Sequence, residues 1–298
     1  MISSIDLAAP PCLSTADRVS GSNMRRLCAS PLGLAALVIL IAFCAIAVLA
    51  PVLVPYDPLA QDSLAQAKAP SGAHLLGTDY LGRDVLSRVL YGARPSLAVG
   101  LASVSIAILL GSTLGLMSGY LGGAFDLLTQ RVVEVALTLP GLVLALALLA
   151  ILGGGSVSLV LAIALVLAPG IARVVRSTAL TVATEDYIEA ARAVGARDRR
   201  IILRHILPNA AATIIVLASL NLGNAILFEA ALSFLGLGIQ PPDPSWGNLL
   251  SGPARQYFEV APWMAIFPGI AVSLVVLGFN LFGDSLRDAF DPRLHSAA

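Results

Sequence analysis

Six long apolar stretches most strongly constrain how this chain can fold. An α-helix rises 1.5 Å per residue, so about twenty apolar residues are enough to cross the hydrocarbon core of a bilayer. Each stretch approaches that length. The predicted spans cover approximately residues 31–54, 96–117, 126–152, 157–175, 208–229 and 262–282. The pattern therefore predicts an all-α membrane protein with six transmembrane helices.

The overall composition agrees with membrane insertion. Charged residues make up 12 % of the chain and hydrophobic residues 57 %, whereas a soluble domain carries about 25 % charged residues. The net charge of zero gives no indication of a nucleic-acid partner. The first apolar stretch is too long for the apolar core of a signal peptide, which has roughly 7–15 residues, so we interpret it as an uncleaved anchor.

The basic residues predict the orientation of the spans. Cytoplasmic loops of membrane proteins carry an excess of Lys and Arg, and Arg25 and Arg26 directly precede the first span. With the N-terminus in the cytoplasm, thirteen of the eighteen basic residues fall on the cytoplasmic side and five on the outer side. We therefore expect both termini, and the loop between the fourth and fifth spans, to be cytoplasmic.

The outer segment before the second span contains a further amphipathic pattern. Between Arg83 and Gly92, apolar residues share one helical face, and Asp84 and Arg88 are spaced for an i,i+4 pair. Glycine often ends a helix. The pattern predicts a short helix that lies along the outer membrane boundary and ends at Gly92.

The loop after the fourth span has the longest charge-dense run in the chain, residues 184–200. Thr184 is the predicted N-cap of a short helix, and Glu185 and Asp186 place negative charge at its positive end. Gly195 is the predicted stop. The apolar face at helical spacing comprises Ile188, Ala191 and Val194.

A second short helix is predicted after this stop. Asp198 is placed to cap it, it extends through Leu207, and Pro208 marks the step into the fifth span. From these residues alone, two interpretations remain open. The loop is either a solvated connection between two spans or a surface on which another protein docks.

The same loop resembles the EAA loop of ATP-binding-cassette importer permeases. The resemblance rests on Glu189-Ala190-Ala191, Gly195 and the closing Leu207-Pro208. His205 replaces the isoleucine of the general pattern, and histidine is usual in the peptide-permease branch. In that family the loop helix docks into a cleft on the ATPase subunit and carries its motion into the membrane. The residues that the resemblance assigns to coupling are Glu185, Asp186, Tyr187, Glu189, Ala190, Ala191, Gly195, Leu207 and Pro208.

Other stretches resemble the second permease subunit of dipeptide, oligopeptide and nickel importers. These stretches are residues 74–79, 82–88, 91–94, 118–123, 232–238, 241–247 and 279–292. The resemblance implies the type I importer permease fold. The polar composition of the N-terminal tail, the apolar pattern and the resemblance together predict four regions: a disordered cytoplasmic tail (1–24), a first membrane helix with a periplasmic segment (25–95), the type I transmembrane domain (96–285) and a cytoplasmic tail (286–298).

The family resemblance further implies an assembly in the bacterial inner membrane. Its partners would be a homologous permease subunit, two ABC ATPase subunits, a periplasmic or lipid-anchored substrate-binding protein, and membrane lipid. The chain has no GxxxxGK[ST] phosphate loop, so we expect ATP and Mg²⁺ to be bound by the ATPase subunits, with no cofactor and no enzymatic activity in this chain. Di- or oligopeptides are the expected substrates, with nickel or glutathione as alternatives.

Three polar residues of the fifth span are candidates for the transport pathway. Asn221 and Asn224 lie on one helical face, where they would either line a pathway or hydrogen-bond to neighbouring helices. Glu229, at the outer end of the span, would meet a substrate amine or contact water.

Four other residues have structural interpretations. Arg131 and Glu134, three residues apart near the cytoplasmic end of the third span, favour a structural role over a transport role, either as an ion pair or by snorkelling to the interface. Trp246 and Trp263 are predicted to anchor the outer interface.

Two rival classes of protein make different predictions. An ion-driven secondary transporter would have ionisable residues at mid-membrane depth, and four of the six spans have none. A membrane-embedded enzyme would need a nucleophile with a base, or metal ligands, at membrane depth. His74, His205 and His295 are scattered, and the three cysteines have no metal or disulfide spacing, so we predict no metal site.

Overall fold

The computed structural model describes residues 30–290, and this part of the chain is almost entirely helical. Its only β-type pairing is an isolated antiparallel bridge between Thr78 and Asp84. The α-helices are α1 Pro31–Leu53, α2 Val85–Leu121, α3 Gly123–Thr138, α4 Gly141–Leu152, α5 Ser156–Ala183, α6 Asp186–Ala193, α7 Asp198–Ile201, α8 Leu207–Phe234, α9 Trp246–Leu249, α10 Gly252–Gln256 and α11 Trp263–Phe290. The predicted tail 1–24 lies outside the described residues, as do Cys12, Cys28 and His295.

Five helices are long and apolar enough to cross a membrane, and a bent pair forms a sixth span if it is counted as one. The predicted all-α, multi-span fold is therefore confirmed, but the continuous third span is wrong. The helices α3 and α4 meet at 102°. Pro140 explains the break because it lacks an N–H donor and forces the preceding Leu139 into an extended conformation, with φ −85° and ψ 137°.

The second span begins earlier than predicted. Helix α2 runs without interruption from Val85 through Gly92 and Pro95, so the predicted short helix along the outer boundary is wrong. Asp84 is its N-cap, and the Asp84 carboxylate accepts a hydrogen bond from the Ser87 amide at 2.8 Å. The predicted Asp84–Arg88 pair does not form, since the nearest carboxylate to Arg88 belongs to Asp79.

Helices α2 and α5 form the centre of the main core. Three glycines one turn apart on α2, Gly111, Gly115 and Gly119, face α5. A Cβ atom at Gly115 would come within 2.6 Å of the Ala172 carbonyl oxygen. Small residues at this spacing let two helices approach closely, so α2 packs directly on the backbone of α5.

A second cluster joins the N-terminal helix to the rest of the bundle. Leu40 of α1 packs with Val275 and Phe279 of α11. Gly278 provides the room for this contact, because a Cβ atom there would lie 2.9 Å from Ile39. Helix α11 continues to Phe290, beyond the predicted end of the sixth span at residue 282.

The segment between α1 and α2, residues 54–84, forms an ordered coil that we call the outer segment, after its predicted side of the membrane. Its centre is a buried ion pair in which Arg83 Nε donates to Asp79 Oδ2 at 2.6 Å. His74 Nδ1 lies 2.9 Å from Asp84 Oδ1. Together these contacts tie the coil to the start of α2.

The two tryptophans also hold the outer side together. Trp246 is fully buried, and its Nε1 donates to the Val89 carbonyl at 3.0 Å, so its predicted role as an interfacial anchor is wrong. Trp263 is partly buried and donates to the Thr78 carbonyl at 3.0 Å. Both indoles are therefore cross-links between distant segments of the chain.

Candidate functional site

The charged loop predicted from the sequence forms a helix–turn–helix elbow, residues 184–206, which we call the elbow. Its first helix, α6, is one residue shorter at each end than the predicted 185–194. Glu185 occupies the N-cap position, and Thr184 does not, because the Thr184 hydroxyl donates to the Thr181 carbonyl of α5 at 2.8 Å. Asp186 and Glu189 place negative charge in the first turn, where it interacts favourably with the positive end of the helix macrodipole.

Gly195 ends α6 as predicted. Its φ angle is +79°, a left-handed conformation that glycine adopts without steric cost. The Gly195 amide donates to the Arg192 carbonyl at 2.9 Å, and the Ala196 amide donates to the Ala191 carbonyl at 3.0 Å. This pair of bonds is the Schellman motif, and it fixes the angle between the two arms of the elbow.

One face of α6 is buried against the bundle. Ile188 is completely buried and belongs to the main core together with Ile201 and Ile206 from the second arm. The prediction that Val194 shares this apolar face is wrong, since Val194 is 84 % exposed. The helix therefore rests on one large side chain, which gives the elbow a defined seat.

The opposite face of α6 is open. Glu189 and Ala190 are exposed, and a Cβ atom at Gly195 would meet nothing within 4 Å. Among the described residues Glu189 forms no ion pair. The exposed face carries negative charge and small side chains, which lets another protein approach closely.

The second arm joins the fifth span without a break. After α7, residues 202–206 form a π-helical segment, and the Leu207 amide donates to the Ile202 carbonyl five residues earlier. Pro208 follows directly and cannot donate a backbone hydrogen bond. Because the wider π turn accommodates the proline, the predicted step at Pro208 is wrong, and the elbow is continuous with α8.

The elbow is also bonded to α2, a contact that the sequence pattern did not predict. The Tyr120 hydroxyl donates to Asp198 Oδ1 at 2.8 Å, so Asp198 does not cap the second arm as predicted. The Arg192 guanidinium lies over the Tyr120 ring, 5.0 Å from its centroid. Tyr120 therefore touches both arms, and we name Tyr120, Arg192 and Asp198 the Tyr120 latch. The only sequence signal was the position of Tyr120 beside the glycine turn after the second span.

Tyr187 lies on the side of the elbow nearest α8, the helix that begins at Leu207. The Tyr187 phenol oxygen accepts a hydrogen bond from Asn209 Nδ2 at 3.3 Å, and its ring lies 6.3 Å from that of His205. Partial burial raises the pKa of the Tyr187 hydroxyl, and the nearby Glu185 carboxylate raises it further. The phenol therefore remains neutral at physiological pH.

A second polar cluster links three helices next to the elbow. Arg176 of α5 forms a bidentate ion pair with Asp126 of α3, with donor–acceptor distances of 2.5 and 2.6 Å. Ser118 of α2 donates to the same carboxylate. Bidentate pairs of this kind fix orientation, so the ends of α2, α3 and α5 are held as one unit.

The predicted Arg131–Glu134 ion pair is confirmed. Its donor and acceptor lie 3.0 Å apart.

The three candidate pathway residues lie in different environments. Asn221 donates to the Leu217 carbonyl of its own helix at 2.8 Å, whereas Asn224 is exposed. Glu229 is fully buried, with its carboxylate accepting from the Ser233 hydroxyl at 2.8 Å. In this conformation the Glu229 carboxylate is shielded from solvent, so its predicted contact with water does not form. Contact with a substrate amine stays a prediction.

Within residues 30–290, no three His, Cys, Asp or Glu side chains come close enough to form a metal site. The elbow, with its open face and its two attachments to the core, is therefore the best-defined functional candidate in the described chain.

Comparison with known families agrees with this geometry. Residues 111–296 match the family described as "Binding-protein-dependent transport system inner membrane component". The chain belongs to this family. Residues 22–70 match the N-terminal transmembrane domain of oligopeptide transport permease C. The chain is thus a multi-pass permease component of a binding-protein-dependent transport system.

Related transport proteins cover most of the chain. A dipeptide transport system permease protein from Alkalihalophilus pseudofirmus is 46 % identical over 89 % of this chain and 87 % of its own length. A glutathione transport system permease protein from Pectobacterium atrosepticum is 47 % identical over 85 % and 84 %, respectively. A di/tripeptide transport system permease protein from Pseudomonas aeruginosa is 46 % identical over 87 % of both chains.

A solved structure supports the fold independently. An inward-facing structure of the MetNI methionine ABC transporter matches 68 % of this chain and 97 % of its own, with a TM-score of 0.56 and 20 % sequence identity. The type I importer permease fold expected from the sequence is therefore confirmed.

Proposed function

We propose that this chain is a permease subunit of an ATP-binding-cassette importer that moves di- or oligopeptides across the bacterial inner membrane. Separate ATPase subunits would dock on the exposed face of α6. The observation that carries this proposal is the contrast between the two faces of that helix. Ile188 is completely buried, whereas Glu189 and Ala190, directly after it, are exposed.

Such a helix can transmit force because both arms of the elbow are attached to the bundle. The Tyr120 latch joins the elbow to α2, and the glycine ridge of α2 packs closely on α5. The π-helical segment carries the second arm directly into α8. A displacement of α6 would therefore move α2, α5 and α8 together.

The proposed mechanism is a switch between two conformations. ATP binding closes the two ATPase subunits, α6 moves with them, and the pathway opens outward, where the substrate-binding protein releases its cargo. Hydrolysis then restores the inward-facing state. This chain biases a conformational equilibrium, and it supplies no bond-making chemistry in this scheme. ATP and Mg²⁺ would be bound by the partner subunits.

Two further features of the assembly follow from the proposal. A homologous permease would complete the pathway, and both termini of this chain would lie in the cytoplasm. The excess of basic residues on that side supports the orientation. The open face of α6 then points toward the compartment that contains ATP.

The peptide substrate is supported by the names of two relatives that cover most of the chain. Glutathione is the second candidate, because a glutathione permease is equally similar. Nickel has weaker support from this chain, since its described residues contain no metal-ligand cluster.

Uptake into membrane vesicles tests the proposal directly. Vesicles that contain the whole assembly would be loaded with ATP on the ATPase side and given a labelled dipeptide, with unlabelled glutathione or nickel as competitors. We expect ATP-dependent uptake that unlabelled dipeptide abolishes. Uptake that persists without the ATPase subunits and stops with an ionophore would instead indicate an ion-driven transporter. Competition by glutathione or nickel alone would identify that competitor as the substrate, and the assignment as an ATP-driven importer would stand.

A further inference from the structure

A small cavity on the outer side contains two buried arginines. Its volume is about 80 Å³, and it lies between the start of α2 and the segment that joins α8 to α11. Arg83 and Arg88 line it, and both are more than 90 % buried. The carboxylate of Asp79 is the only acidic group in its wall. The other lining residues include Tyr80, Asn248, Ser251 and Met264.

The single carboxylate is already used by other donors. Asp79 Oδ1 accepts from the Leu81 and Arg83 amides at 2.8 and 3.0 Å, and Asp79 Oδ2 accepts from Arg83 Nε at 2.6 Å. Arg88 Nε lies 3.6 Å from that oxygen, which is too far for a hydrogen bond. Asp79 is therefore committed to Arg83.

Arg88 is left with an unsatisfied donor. Its Nη1 donates to the Pro58 carbonyl at 3.0 Å, but its buried Nε has no hydrogen-bond partner within residues 30–290. The nearby Asp84 carboxylate is occupied by Ser87 and His74. The wall of the cavity therefore carries one positive charge in excess, beside a buried donor that lacks an acceptor.

Burying an unpaired charge is costly unless a counter-charge or a hydrogen bond compensates for it. A water molecule occupies about 30 Å³ in the liquid, so a cavity of about 80 Å³ has room for a small anion together with one or two water molecules. A chloride ion or a single carboxylate group fits this space. Either would supply both the missing negative charge and an acceptor for Arg88 Nε.

We propose that this cavity is a binding site for a small monovalent anion, held by Arg88 and Arg83. The anion would come from one of two sources: a free ion from the outer medium, or the terminal carboxylate of a transported peptide. The second source rests on the proposed function, whereas the first does not. In both cases the anion would brace the outer segment against α9, which contains Asn248.

Thermal stability of the purified assembly tests the site. Its unfolding midpoint would be measured in sodium chloride and in sodium gluconate at equal ionic strength, because gluconate is too large for the cavity. We expect a saturable rise with chloride for the wild type. Arg255→Gln is the matched control, since Arg255 is an exposed arginine outside the cavity on the same predicted side. It should keep the rise, and Arg88→Gln should lose it.

The same chloride dependence in Arg88→Gln would overturn the proposal. A variant that does not fold would not decide the question, so binding to the wild-type assembly is measured as well. We expect radiolabelled chloride to bind saturably and to be displaced by formate but not by gluconate. Absence of saturable binding would mean that the cavity holds only water, which overturns the site.

Two competitors distinguish the sources of the anion. Displacement of chloride by a dipeptide but not by its C-terminally amidated form would assign the site to the substrate carboxylate. Displacement by neither peptide would assign it to a free anion. Because this measurement needs no ATP and no transport, its result is independent of whether the assembly moves peptides.

Discussion

The outer segment and the elbow both connect spanning helices, but they are held in opposite ways. The outer segment has its charges paired inside the chain, as in the buried contact between Asp79 and Arg83. The elbow, in contrast, leaves the charge of Glu189 exposed, and its first helix, α6, is seated on the bundle by one fully buried side chain, Ile188.

This difference separates a segment whose charges are paired within the chain from a surface that is open to another protein. The ion pairs that hold the outer segment are made within the chain, so its shape does not depend on another protein subunit. The elbow is positioned by the chain but retains an open face of small and acidic residues. A part that receives motion from another subunit needs both properties: firm attachment on one side and accessibility on the other.

The largest effect is expected at the centre of the outer segment. Asp79→Ala would leave the Arg83 guanidinium buried without its carboxylate, and breaking a buried pair costs about 3–5 kcal/mol. The unfolding midpoint of the purified assembly should fall strongly. Asp57→Ala, at an exposed position of the same segment, should leave the midpoint nearly unchanged. Equal effects would show that the segment is not held by its buried charges.

The second-largest effect is expected at the buried face of α6. Ile188→Ala would remove buried side-chain volume from the core, at a cost of about 2–5 kcal/mol. Val194→Ala, six residues later, removes a side chain that is 84 % exposed. Limited proteolysis of the loop should accelerate in the first variant and not in the second. Similar cleavage rates in both would contradict the assignment of α6 faces.

A smaller effect is expected at the Tyr120 latch. Tyr120→Phe removes the hydrogen bond to Asp198 and keeps the ring beneath Arg192, so the loss is about 1 kcal/mol. We expect ATP hydrolysis to continue while peptide uptake per ATP decreases. Asp198→Asn keeps an acceptor for the hydroxyl and should behave more like the wild type. An unchanged ratio of uptake to hydrolysis in Tyr120→Phe would show that the Tyr120 latch does not contribute to coupling.

The smallest effect is expected at the stop of α6. Gly195→Ala forces a side chain into a positive-φ conformation, which costs about 1 kcal/mol. Asn tolerates this conformation better, so Gly195→Asn should cost less stability. If uptake falls equally in both variants while stability differs, the side chain itself obstructs docking. If uptake follows stability, Gly195 acts only as the stop.

Much of the fold could be predicted from the sequence because membrane insertion depends on local pattern. Apolar length located the spans, although some of their ends lie elsewhere, as at Val85 and Phe290. Pro140 lies within the predicted third span, but the sequence alone does not show how strongly it bends the helix. A proline can bend a span slightly or break it, and here the break is 102°.

Long-range contacts could not be predicted from spacing. Trp246 was expected at the interface because tryptophan is enriched there, yet its indole bonds to Val89, 157 residues away in the sequence. Similarly, Tyr120 and Asp198 are 78 residues apart. The exposed half of the proposed coupling site was predicted from the motif, whereas the half that anchors it depends on tertiary structure.

The most direct test of coupling through α6 is ATP-driven peptide uptake by the assembly that carries Ala190→Glu. Ala190 is exposed within α6, and Glu is a good helix former, so the variant should fold normally. Gly72→Glu is the control, because Gly72 lies in the outer segment and a Cβ atom there would meet nothing within 4 Å.

Loss of about 2 kcal/mol of docking energy corresponds to roughly thirtyfold weaker binding. We therefore predict that Ala190→Glu loses most of its uptake and retains the ATPase subunits poorly on purification, while Gly72→Glu does neither. Normal uptake by Ala190→Glu would contradict the account, since the exposed face of α6 would then not be the surface on which the ATPase acts.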